Sequence, residues 1–98
     1  MSCGVGGQPS PLQFEILGTG IEAEKLSRRL QCALAGLGWS ARVAVHNDPL
    51  RALDLGASRD PALLADGVLF AQGLPQTEEL EALLRARIGV APTPSHQP

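Results

Sequence analysis

The chain has 98 residues, 44% of them apolar, with a net charge of −2 and only two cysteines. That is enough for one domain with a modest core, and it leaves no broad basic surface to neutralise the phosphates of a nucleic acid. No apolar run approaches the roughly 20 residues of a membrane-spanning helix, so neither a membrane nor a nucleic acid is the expected partner. With two Phe, one Trp and no Tyr, the interior must be aliphatic.

The first eleven residues are rich in Gly, Pro and Ser and predict a disordered arm. They carry neither the basic region nor the apolar core of a secretory signal, so a cytoplasmic location is expected. Leu12–Leu17 alternates apolar and polar, the period of a strand with one buried face. Gly18 and Gly20 end it. From Glu22 to Leu37 the period becomes helical, with Leu26, Leu30, Ala33, Leu34 and Leu37 on one side and Gly36 and Gly38 as the stop. Ser40–His46 returns to strand chemistry around Val43 and Val45. Asn47-Asp48-Pro49 signals a helix start, with Asp48 as cap, and the helix is short, Pro49–Leu55, ending at Gly56.

Ala62–Ala65 and Val68–Ala71 are two strands joined by Asp66-Gly67, a dipeptide that favours a two-residue hairpin turn. Thr77 is the expected cap of a last helix with Glu78 and Glu79 in its first turn. Its buried stripe is Leu80, Leu83, Leu84 and Ile88, its basic end Arg85 and Arg87, and its stop Gly89. Three prolines after Val90 predict a loose tail over 91–98. The order is β-α-β-α-β-β-α over residues 12–90. A four-stranded mixed sheet is expected, with the first and last helices on one face.

The pattern resembles the small thioredoxin-like, glutaredoxin-like proteins called redox-active disulfide proteins. The resemblance is carried by Gly18-Thr19-Gly20 after the first strand, Gly56, Asp60-Pro61, the Asp66-Gly67 hairpin and Gly73. It implies a thioredoxin-like α/β fold with helices on both faces of the sheet. It also implies a cis peptide at Pro61 and a groove lined by Gly20, Ile21, Glu22, Glu24, Asp60, Pro61 and Gly73. In that family an extended peptide pairs with the backbone beside the proline, which is recognition by strand addition. The groove's rim would be acidic, through Glu22, Glu24 and Asp60, and would favour a basic segment.

The family's Cys-x-x-Cys is absent: its positions hold Ile21 and Glu24. Dithiol exchange needs one thiolate to attack and a second thiol to resolve the mixed disulfide, and neither residue supplies sulfur. The implied role is therefore a non-catalytic module with a protein or peptide partner. The alternative is a single-cysteine redox protein acting through Cys32, by thiol–disulfide exchange or glutathionylation. Cys32 lies about 200° round the helix from Leu30, on the outward side with Lys25 and Arg28. Cys3 and Cys32 make no disulfide framework. No Cys, His or carboxylate cluster has zinc or iron–sulfur spacing, and no cofactor is expected. Oligomeric state is not written in the sequence.

The missing dithiol gives a direct test. The purified protein is expected to show no dithiol oxidoreductase activity in an insulin-reduction assay, and Ile21→Cys with Glu24→Cys to introduce it. Native activity that survives Cys3→Ser and Cys32→Ser would contradict this reading.

Overall fold

The computed structural model describes residues 7–92. Its strands are β1 (Gln8–Pro9), β2 (Phe14–Leu17), β3 (Trp39–Ser40), β4 (Val43–His46), β5 (Ala62–Ala65) and β6 (Val68–Gln72). Its helices are α1 (Gly20–Gly36), α2 (Pro49–Asp54) and α3 (Thr77–Ile88). Four strands form a mixed sheet in the order β4-β2-β5-β6. β4 is parallel to β2, and the remaining neighbours are antiparallel.

The two central strands are covered on both sides. Phe14 and Ile16 of β2 stand opposite Ala65 and Leu63 of β5. With Leu26, Leu30, Leu34, Leu80 and Leu84 they form the larger core, between the sheet and helices α1 and α3. The intervening residues point the other way, where Leu17, Ala62 and Leu64 pack with Ala57, with Ala52 of α2 and with Leu55 just after it. Alternation along the strands thus splits one apolar run into two cores.

Most expected elements are present, and the differences have local causes. The second strand is divided into β3 and β4, and β3 pairs with β1 in residues assigned from composition to the arm. That pairing needs Gly7: a side chain there would come 2.7 Å from the backbone of Trp39. The Ser40 hydroxyl donates to the Gly7 carbonyl at 3.0 Å. At the other end, Ala91 is buried and its amide donates to the Leu37 carbonyl at 2.7 Å. Residues 1–6 of the expected arm, including Cys3, and 93–98 of the expected tail lie outside the described residues.

Gln76, not Thr77, caps α3, because its side chain and that of Glu79 satisfy each other's end amides in a capping box. Leu83 is 44% exposed, so the buried stripe of α3 reduces to Leu80 and Leu84 with Ile88 at its edge. Asp66 and Gly67 have φ of 52° and 82°, the left-handed pair that a tight hairpin requires. A bulge after Leu63 leaves Phe70 without a partner residue on β5. Phe70 instead meets Phe14 edge-to-face at 6.4 Å.

Helix α2 is tied to the sheet by charge as well as by packing. The Asp48 carboxylate accepts from the Arg51 amide at 3.1 Å, capping the helix. The Arg51 guanidinium then reaches Glu15 of β2 in a two-pronged pair, one prong at 3.0 Å. His46 stands 3.4 Å from the same carboxylate. Hydrogen bonding from Arg51, and then the charge of its guanidinium, hold the Glu15 carboxyl below its ordinary value despite partial burial. A carboxylate with a lowered value stabilises the fold above its ordinary range and loses that contribution as the pH falls through the folded value. Glu15→Gln is therefore expected to cost about 0.5–1 kcal/mol at neutral pH. In urea titrations its gap from the wild type should close below the usual Glu value of 4.5.

Candidate functional site

Three segments meet where β2 ends. Gly18-Thr19 leaves β2 for α1, Asn47-Asp48-Pro49 leaves β4 for α2, and Asp60-Pro61 enters β5. Between them is a cavity of about 300 Å³ lined by Leu17, Gly18, Thr19, Asp48, Ala52 and Asp60, with Asn47 and Pro49 at its side. The Asp60–Pro61 peptide is cis. Pro61 is fully buried and packs onto Gly18. A methyl group on Gly18 would lie 2.7 Å from the proline Cβ and 3.2 Å from its Cα. The approach exists only because position 18 has no side chain.

The turn into Pro61 is held by residues that sequence reasoning did not single out. The Gln72 side-chain oxygen accepts from the backbone amides of Ser58 at 2.7 Å and Arg59 at 3.0 Å. The Pro61 carbonyl accepts from the Gly73 amide at 2.8 Å. Gly73 has a φ of 75°, and the Arg59 side chain lies across it. Arg29 of α1 donates to the carbonyls of Leu74 and Pro75, at 3.1 Å each, fixing the chain that follows. Among the described residues, the amide and carbonyl of Asp60 itself have no intramolecular partner. One exposed backbone unit is thus presented by a rigid turn.

Asp60, Pro61 and Gly73 are brought together, and Gly18, outside the expected groove list, is their contact on β2. Gly20, Ile21 and Glu22 follow in the first turn of α1 and are exposed, Ile21 at 68%. Thr19 caps that helix without a side-chain hydrogen bond. Glu24 faces elsewhere: it lines a separate recess with Ser27, Arg28, Gln31 and Val45. The acidic groups at the cavity are Asp60 and Asp48, and the cap at Asp48 already uses part of the latter. Arg59 adds a positive charge on the Gly73 side.

Cys32, expected as an outward-facing single redox thiol with no disulfide, is instead half-buried on α1 and disulfide-bonded, so it is not a free thiol. Trp39 packs over the end of α1, and its indole donates to the Gly89 carbonyl at 2.8 Å. Among the described residues no His, Cys, Asp and Glu cluster could hold a metal ion, and no helix is long and apolar enough to cross a membrane.

Because the turn depends on a bare position 18, Gly18→Ala is expected to lower stability by about 1–3 kcal/mol. The amide resonances of Asp60 and Gly73 should shift in a nitrogen–proton correlation spectrum. An unshifted turn would show that the contact is not what positions it. Compared with family models, with curated proteins and with solved structures, this chain matches none.

Proposed function

We propose that this chain is a non-catalytic, thioredoxin-like protein-binding module that takes an extended segment beside the Asp60–Pro61 turn. The observation that carries the reading is the exposed backbone of Asp60, unpaired among the described residues and held beside Pro61 by Gln72 and Gly18. An extended chain laid against that residue would gain main-chain hydrogen bonds, and the adjoining cavity of about 300 Å³ would receive one of its side chains. The β2-α1-β4-α2-β5-β6-α3 order of the four-stranded sheet and its helices, with the closing hairpin, supports the thioredoxin-like assignment. Asp60 and Asp48 in the cavity, with Glu22 exposed on α1, favour a basic side chain there.

The test is a titration of isotope-labelled protein with an extended lysine- and arginine-containing peptide and with its acidic counterpart. The basic peptide should shift the resonances of Thr19, Asp60 and Gly73, and Asp60→Lys should weaken it about tenfold. No shift with either peptide, or shifts confined to another surface, would overturn the proposal. Insulin reduction that disappears with Cys32→Ser would overturn it as well, and would assign the activity to the disulfide that holds Cys32.

A further inference from the structure

Strand β4 is an edge of the four-stranded sheet, and among the described residues it pairs with β2 alone. The His46 carbonyl accepts from the Gly18 amide at 2.8 Å, so His46 turns its backbone groups toward β2. Backbone direction alternates along a strand, which turns Ala44 the same way and sends the N–H and C=O of Val43 and Val45 outward. No Lys, Pro or bulge lies within Val43–His46 to guard this edge. Val45 is 45% exposed.

Its side chain shares an open recess with Glu24, Ser27, Arg28 and Gln31 of α1. Glu24 and Arg28 are exposed, lie one helical turn apart and form no ion pair among the described residues. Edge and helix together make a strip whose backbone on one side is unpaired among the described residues, with one charge of each sign beside it.

We infer that this strip is the interface of a symmetric dimer, in which β4 pairs antiparallel with β4 of a second copy. A two-fold axis through Ala44 lets Val43 exchange both backbone hydrogen bonds with Val45 of the second copy, and the reverse. The same axis sets the two α1 helices antiparallel on one face of the joined sheet. Each Glu24 then comes alongside Arg28 of the other copy. A strip carrying one charge of each sign is complementary to itself under that operation, which is why the occupant is a second copy.

Analytical ultracentrifugation from micromolar to millimolar concentration tests this. The wild type should dimerise reversibly, and Glu24→Arg and Arg28→Glu should each weaken the dimer about tenfold by placing like charges together. An equimolar mixture of the two variants should recover it, since both cross-contacts then join opposite charges. Val45→Pro should abolish it with an unchanged circular dichroism spectrum, because the amide it removes points away from β2. A wild type that stays monomeric would leave the edge to a different chain and overturn the inference. So would variants that dimerise like the wild type, or a mixture that recovers nothing.

Discussion

The structure depends on β2 and β5 being paired in a single register while buried on both faces. A slip of either strand by one residue would send its own core residues across, Ile16 or Leu63 to the α2 side and Leu17 or Leu64 to the α1–α3 side, mismatching two cores at once. The pairing is closed at both ends. At one end the Asp66 amide donates to the Gln13 carbonyl at 2.8 Å, and the Asp66 carboxylate accepts from the Gln13 amide at 2.9 Å. At the other, Pro61 lies against Gly18. The second closure also shapes the cavity, so the geometry proposed for recognition follows from what fixes the register.

Stability and the proposed recognition share few groups beyond Gly18 and Pro61. The exposed backbone of Asp60 contributes to neither core, whereas the residues that aim it, Gln72 and Gly73, belong to the end of β6 and the turn after it. Helix α2 forms the opposite wall and is braced by the Glu15–Arg51 pair on the side away from α1. The wall is thus held through a charged contact in the middle of β2.

Local chemistry made much of this legible before any coordinates. The alternation in β2, the leucine spacing in α1, the Asp48–Pro49 start and the Asp66-Gly67 turn each act within a few residues, and each has the expected consequence. The cis peptide at Pro61 was implied by the family resemblance and is present. What sequence reading missed acts over long separations. Gln72 and Ser58 are both ordinary surface residues until the sheet brings them together. Glu15 gave a faint signal as the one charge inside an apolar strand, but its partner could be named only once α2 had a face. Gln8–Pro9 looked like linker because its pairing depends on the bare backbone of Gly7 against Trp39. Glu24 was grouped with Glu22 by sequence, although two further residues along a helix turn a side chain through about 200°.

Trp39 is the only tryptophan, and the chain contains no tyrosine. Its indole is bonded to the Gly89 carbonyl, where the end of α1, the start of β3 and the end of α3 converge. Near-ultraviolet absorbance and intrinsic emission of this molecule therefore originate almost wholly at one seam. Undocking of the last helix would relocate that indole into water and move the emission to longer wavelength. Events at the Asp60 turn would leave the spectrum nearly unchanged, so the chain carries a built-in optical reporter for one end of its core.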